Sequence, residues 1–190
     1  MDTTKTNELL RRIVEEGDMA AFSSLYSEIH RSLYDFALAI VKRREAAEEI
    51  TADVFIRLWE RRNAVRDAAI RSCRLYLFTC IKNASLNYLR DHRREAFFGL
   101  EQVSVSEWRL EASPEELMIT AEMAGRLNRA VGELPAKCGL IFRLVKEEGL
   151  SYKEVAQLLD LSVKTVENQI GIALKKIREA ISFKIPAPVA

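Results

Sequence analysis

Helix-breaking residues are scarce along this chain, which has seven glycines and four prolines among its 190 residues. Apolar side chains recur at the three- and four-residue spacing that places them on one face of an α-helix. The pattern begins after Asp18, which fits an N-cap. It predicts two helices over residues 18–29 and 33–41, followed by helices over residues 45–62 and 70–91. We therefore expect an all-α fold in which these four helices share one core.

The periodicity stops between Glu95 and Glu122, where seven glutamates stand against one arginine. Ser113-Pro114 fits an N-cap followed by proline at the first helical position, so a new helical unit is expected to begin there. We predict two small helical domains, over residues 1–95 and 115–190, joined by an acidic linker over residues 96–114.

The composition excludes several classes of protein. A net charge of +1 means that any nucleic-acid surface must be local. There is no stretch of about 20 apolar residues and no signal-peptide core, so we expect a cytoplasmic protein that does not insert into membranes. The chain has three cysteines and no Cys-x-x-Cys motif, so we predict no disulfide framework. Its two histidines are far apart in sequence, so we predict no metal centre and expect no cofactor. We find no nucleophile with an adjacent base and no glycine-rich phosphate loop, so we do not expect an enzyme.

The most specific pattern is a helix-turn-helix over residues 149–170. Ser151 and Glu154 have capping-box spacing at the start of the first helix. Ala156 is small enough to let the two helices approach, and Ser162 can cap the second helix after the turn.

The second helix of this motif has two different faces. Val166, Ile170, Ala173, Leu174, Ile177 and Ile181 form an apolar face. The other face offers cations for phosphates and amide or hydroxyl groups for base edges in a major groove. A solvated helix with a lysine-rich end is the alternative interpretation. The candidate DNA-binding residues are Lys164, Thr165, Asn168, Gln169, Ile172, Lys175 and Lys176.

The helix predicted over residues 70–91 combines cations, aromatic rings and amides. Together these are the groups that bind single-stranded DNA, by pairing with phosphates, stacking on bases and contacting base edges. Ordinary core packing is the alternative for the aromatic residues, and Phe78 belongs to the apolar stripe. The candidate residues are Arg74, Tyr76, Lys82, Asn83, Asn87 and Arg90.

The helix predicted over residues 45–62 has an acidic face that also carries an apolar residue. Glu49, Asp53 and Ile56 lie opposite the buried stripe, with Trp59 towards its edge. Such a face suits a protein partner, although most acidic helix faces are only solvated.

These three segments, in this order, resemble the extracytoplasmic-function (ECF) sigma factors, the two-domain specificity subunits of bacterial RNA polymerase. Residues 47–59 look like the family's core-binding helix, with acidic residues before a terminal Phe-x-x-x-Trp. Residues 76–90 are similar to the helix that opens and reads the minus-ten promoter element. The helix-turn-helix resembles the domain that reads the minus-thirty-five element, in a variant like those of Bacteroidetes.

The resemblance implies a sigma factor that recruits core polymerase to promoter DNA and helps to melt it. It implies that Glu49, Asp53, Ile56 and Trp59 contact core polymerase and that Asn83 and Asn87 hold unstacked minus-ten bases. It also implies an anti-sigma factor as a partner, often anchored in the membrane. A stand-alone helix-turn-helix regulator is the alternative, but it leaves residues 20–94 unexplained.

Overall fold

The computed structural model describes residues 3–67, 70–92 and 121–182, and these residues form helices and no strand, as the all-α prediction requires. The predicted linker, including Ser113-Pro114, lies outside the described residues, and the domain boundaries at residues 95 and 115 stay predictions. In chain order the described helices are α1 (Thr3–Glu16), α2 (Met19–Val41), α3 (Arg44–Glu60), α4 (Arg62–Asp67), α5 (Cys73–Asp91), α6 (Ala121–Gly132), α7 (Ala136–Lys146), α8 (Tyr152–Leu159) and α9 (Val163–Ser182).

Helices α1 to α5 pack together as an N-terminal unit, with α2 in contact with α1, α3 and α5. Asp18 caps α2, because its carboxylate accepts hydrogen bonds from the backbone N–H groups of Ala20 (2.8 Å) and Ala21 (3.0 Å). Asn7 on α1 accepts a hydrogen bond from the backbone N–H of Cys73 at 2.8 Å and so fixes the start of α5. The core of this unit includes Ile13, Leu25, Ile29, Leu33, Phe36, Phe55, Leu58, Leu77, Phe78 and Ile81.

The expectation of two helices over residues 18–41 is wrong, because α2 continues unbroken through His30. The apolar pattern weakens there since Ser32 and Asp35 are polar, yet both side chains are buried. Neither residue breaks a helix as glycine or proline would. The periodicity also left α1 unpredicted, although its Leu9, Leu10 and Ile13 are part of the core.

Helices α6, α7 and α8 pack on α9 as a C-terminal unit. Gly149, between α7 and α8, has a φ of +68°, in the left-handed region that glycine adopts without steric cost. The core of this unit includes Val131, Leu134, Leu140, Ile141, Leu144, Val155, Leu158, Val166, Ile170 and Ala173.

The two units touch where α8 packs against α5. In the described ranges, no helix has both the length and the apolar character that crossing a membrane requires.

Candidate nucleic-acid and protein interfaces

Reciprocal hydrogen bonds hold the helix-turn-helix in place. The Glu154 carboxylate accepts from the Ser151 backbone N–H at 2.8 Å, and the Ser151 hydroxyl accepts from the Glu154 N–H at 3.3 Å, which confirms the predicted capping box. Ser162 caps α9 by accepting from the Thr165 N–H at 3.0 Å, as predicted. Between the helices, Asp160 takes a left-handed φ of 54°, which short polar residues tolerate better than bulky ones.

The exposed face of α9 holds most of the candidate DNA-binding side chains. Asn168 is exposed, and the lysines form only weak ion pairs, at 3.4 Å between Lys164 and Glu167 and at 4.0 Å between Lys175 and Glu179. Ile172 and Lys176 are also exposed, whereas Thr165 and Gln169 are half-buried at the edge of this face.

One residue of the apolar face of α9 was placed wrongly. Val166, Ile170, Ala173 and Ile177 are buried as expected, but Leu174 is 43% exposed. Leu174 lies one position beyond Ala173, and the 100° turn per residue carries it out of the narrow stripe that α9 buries. The side chain of Ile181 lies outside the described part of the chain.

The candidate minus-ten residues of α5 fall into two groups. Asn83 and Asn87 are exposed and lie one turn apart, and the side chain of Arg90 is 73% exposed. Tyr76 is half-buried, where burial and a hydrogen bond with Cys80 raise its pKa to about 12. The first three residues can meet a nucleic acid as the helix stands, whereas the Tyr76 hydroxyl already has a protein partner.

The other two candidates of α5, Arg74 and Lys82, are held by the C-terminal unit. Arg74 is fully buried and pairs with Glu148, which follows α7, at 2.8 Å. The Lys82 ammonium donates to the Leu158 carbonyl at 2.8 Å and lies 2.7 Å from the Asp160 carboxylate. In this arrangement neither cation faces solvent as a free phosphate ligand would.

The outward face of α3 is exposed as predicted. Glu49 and Asp53 are exposed, and Ile56 is 53% exposed. Trp59 is half-buried, with its ring 5.3 Å from the ring of Phe22 and below the Arg62 guanidinium at 4.9 Å. Trp59 therefore anchors the edge of this face and presents only part of its ring.

A groove of about 520 Å³ joins two sites that the sequence left apart. Glu49 and Asp53 of α3 form one wall, and Asn87 and Tyr88 of α5 form the other. The Tyr88 ring stacks on that of His92, with 4.0 Å between ring centres. The candidate protein-binding face of α3 and the candidate nucleic-acid face of α5 thus meet along one groove, which no spacing within either helix could reveal.

Sequence reasoning also missed part of the exposed apolar surface. Tyr26 follows the apolar spacing of α2, but it is 40% exposed and its ring centre lies 4.8 Å from that of Phe55. Met19, on the same helix, is 55% exposed. The only sequence signal that Tyr26 lies at the edge of the core is the amphipathic character of tyrosine.

Among the described residues, no group of histidine, cysteine, aspartate and glutamate is arranged to hold a metal ion. The two buried thiols, Cys73 and Cys138, have pKa values raised by burial, for Cys73 to about 12. A thiol with a raised pKa is a poor nucleophile at neutral pH.

Comparison with known proteins gives matches in both units. Residues 25–95 match the Sigma-70 region 2 family, and residues 124–177 match the Sigma-70, region 4 family. The chain is 26% identical over 186 residues to the ECF RNA polymerase sigma factor RpoE of Cereibacter sphaeroides, covering 95% of this chain and 97% of that one. It is 25% identical over 193 residues to the ECF RNA polymerase sigma-E factor of Escherichia coli K12, with 97% of each chain covered.

The fold is also similar to a solved structure. The sigma factor RpoE of Bartonella quintana, in complex with the anti-sigma factor NepR, superposes with a TM-score of 0.51 at 17% identity. The match covers 86% of this chain and 98% of that one, and it supports the all-helical fold.

Proposed function

Because this chain belongs to the ECF RNA polymerase sigma factors and acts in promoter recognition and transcription initiation, we propose that three of its helices divide that work. Helix α9 reads the minus-thirty-five element, α5 reads and melts the minus-ten element, and α3 binds core polymerase. The observation that carries this proposal is the groove in which Glu49 and Asp53 face Asn87 and Tyr88.

The role of α9 rests on its exposed polar face. Asn168 can form two hydrogen bonds with an adenine edge in the major groove, a contact worth about 1–3 kcal/mol of discrimination. Lys164, Lys175 and Lys176 are exposed for phosphate contacts that carry no sequence information. Thr165 and Gln169 lie at the edge of this face, where they can meet the flank of the groove.

The role of α5 rests on two exposed amides beside a stacked aromatic pair. Asn83 and Asn87 can contact base edges only after a base has left the duplex stack, a step that costs a few kcal/mol. Tyr88 and His92 provide a ring surface next to Asn87 on which such a base could stack. These groups suit the melted strand better than the closed duplex.

The role of α3 rests on exposed charge beside apolar surface. Ile56 supplies apolar area, and Glu49 and Asp53 supply charge that selects a basic or polar partner surface. A patch that combines apolar and charged residues is typical of a protein interface. Its position in the groove would bring core polymerase close to the bases that α5 holds.

Run-off transcription tests this division of labour. Purified protein with core RNA polymerase should give a specific transcript from a promoter library, and protein without core should bind duplex promoter weakly. A stand-alone regulator would instead bind its duplex site tightly without core. That result, together with no core-dependent transcript, would refute the proposal.

We further propose that the protein acts in the cytoplasm with RNA polymerase and is held inactive by an anti-sigma factor, a partner of the kind named for the Bartonella protein. Such a partner would keep the protein from core polymerase or from promoter DNA. If it is membrane-anchored, washed membranes from the native cell should inhibit run-off transcription, and protease-treated membranes should not. Equal transcription with both preparations would rule out a membrane-anchored inhibitor.

A further inference from the structure

Helix α9 has an isoleucine in the middle of its polar face. Ile172 is 42% exposed, and Asn168 and Lys176, one turn before it and one turn after it, are also exposed. We propose that Ile172 selects thymine at one position of the minus-thirty-five element, by packing against the C5-methyl group of that base in the major groove. The inference rests on the proposed role of α9 and names the base that one of its side chains selects.

The position of Ile172 on the helix separates it from the other exposed apolar residues of α9. Leu174 is 43% exposed and Val163 is 37% exposed. At about 100° per residue these two side chains lie about 20° apart around the helix, whereas Ile172 lies about 160° from Leu174. Ile172 is therefore not part of the apolar flank that Leu174 and Val163 form, and it lies among the groups that are proposed to face DNA.

The neighbours of Ile172 on this face are polar, and packing does not account for an isoleucine among them. Lys175 is exposed, with its ammonium 4.0 Å from the Glu179 carboxylate, and the Thr165 hydroxyl, two turns before Ile172, hydrogen-bonds that of Ser162 at 2.8 Å. Within the described part of the chain, Ile172 belongs neither to the core nor to the half-buried apolar side chains packed against it. Its apolar surface therefore remains available to a ligand.

The chemistry of isoleucine restricts what it can read on DNA. Its side chain neither donates nor accepts a hydrogen bond, so it cannot recognise the amino, carbonyl or ring-nitrogen groups of a base edge. In the major groove, the C5-methyl group of thymine is the apolar group that distinguishes the four bases. Cytosine would place its N4 amino group against the same side chain, where that group would lose a hydrogen bond to water. Thymine is therefore the base that an isoleucine at this position favours.

The residue before Ile172 permits the close approach that this contact requires. Isoleucine is shorter than lysine or glutamine, so α9 must lie deep in the groove for Ile172 to reach a base. Gly171 is exposed, and beyond its immediate neighbours in the helix a Cβ there would meet no described atom within 4 Å. Packing therefore does not require glycine, although glycine weakens a helix relative to alanine. The missing side chain lets the backbone beside Ile172 approach DNA.

Asn168 and Ile172 together predict the spacing of two bases. They are four residues apart, which is about 6 Å along the helix axis. Successive base pairs are about 3.4 Å apart, so side chains at this separation reach bases within about two base pairs of each other. Since Asn168 is proposed to pair with adenine, the thymine that Ile172 selects should lie within about two base pairs of that adenine.

The first test removes the methyl group from the DNA. The protein with core RNA polymerase selects a promoter from the library by run-off transcription, and each thymine in either strand of its minus-thirty-five element is replaced in turn by deoxyuridine. Deoxyuridine keeps every hydrogen-bonding group of thymine and lacks only the C5-methyl group. One of these replacements should weaken binding of the wild-type holoenzyme to the duplex promoter about fourfold, the effect of exposing one methyl-sized group.

Two variants assign this effect to a side chain. Ile172→Ala should bind the thymine promoter and the deoxyuridine promoter equally. Leu174→Ala is the matched control, because Leu174 is equally exposed on the other side of α9, and it should keep the fourfold difference. Both positions are exposed, so neither substitution should change the helicity measured by circular dichroism.

A third variant changes the preference without removing the side chain. Ile172→Gln should lose the preference for thymine over cytosine at the sensitive position, because glutamine pairs with an adenine edge and has no branched apolar end. Loss of the thymine preference supports the inference whichever base replaces it. A retained preference for thymine would overturn it.

Three results of the deoxyuridine experiment would also overturn the inference. They are a minus-thirty-five element in which no thymine is sensitive to the loss of its methyl group, an undiminished sensitivity in Ile172→Ala, and a lost sensitivity in Leu174→Ala. Failure of the proposed function is distinguishable from these results. In that case no promoter gives a core-dependent transcript, or replacing the whole minus-thirty-five element leaves binding unchanged, and the proposed function and the inference are both overturned.

Discussion

Reversing the charge on the outward face of α3 should separate core binding from folding. Glu49 and Asp53 are both exposed and lie on the wall of the groove between α3 and α5. Glu49→Lys and Asp53→Lys each turn an attraction for a basic partner surface into a repulsion. The matched control is Glu48→Lys, an equal change at an exposed position of the same helix that does not line the groove.

The expected cost to folding is small. Asp53 lies 3.5 Å from Arg57 in a pair whose side chains are 51% and 64% exposed. Losing such a pair costs about 0.3–0.5 kcal/mol, and the repulsion between the ammonium that Asp53→Lys introduces and the Arg57 guanidinium costs a similar amount. The total stays within about 1 kcal/mol, against about 5–15 kcal/mol for a whole domain.

The expected effect on association is larger. A like charge placed in an interface costs several kcal/mol, so each reversal should weaken core binding at least about tenfold, which is about 1.4 kcal/mol. The assay is titration of labelled protein with core polymerase at two salt concentrations, with circular dichroism as the folding check. Wild-type affinity of the Asp53→Lys and Glu49→Lys variants, or an equal loss in Glu48→Lys, would refute the assignment of this face.

Five other substitutions have defined outcomes. Asn168→Ala should change the binding preference among minus-thirty-five sequences by about 1–3 kcal/mol, whereas Lys175→Ala should weaken binding to all sequences alike. A competition assay among mutated elements separates these results. Asn83→Ala should keep closed-complex formation but lose permanganate reactivity of thymines near the start site, and a pre-melted template should restore transcription; equal failure on both templates would contradict a role in melting. Ser151→Ala should lower the free energy of unfolding by about 1 kcal/mol through loss of the helix cap, as measured in urea. Burial raises the pKa of Glu147 to about 7, so its contribution to stability is full below about pH 4.5 and is lost as pH rises through 7. Glu147→Gln should flatten that decline in the free energy of unfolding between pH 5 and 8. An unchanged slope would exclude Glu147 as the source of the decline.

Local pattern predicted the features that depend on neighbours within a few turns of helix. The capping box of Ser151 and Glu154, the cap at Ser162 and the buried stripe of α3 all follow from spacings of three or four residues. The exposed positions of Asn83 and Asn87 follow in the same way. Such features are set by the helix repeat and by hydrogen bonds to nearby backbone groups, so a sequence alone contains them.

What the sequence by itself determined is therefore most of the helices, several of their caps and which faces carry charge, while the tertiary structure decided which charges meet. Arg74 and Glu148 are 74 positions apart, and Lys82 and Asp160 are 78 apart. In sequence each reads as an ordinary charged residue, because its pairing, and the burial of Arg74 and Glu148, depend on the approach of a second unit. The same approach buries Ser32, whose polar character interrupted the apolar pattern and suggested a break in α2. Periodicity reports contacts within a helix, and only packing brings distant helices together.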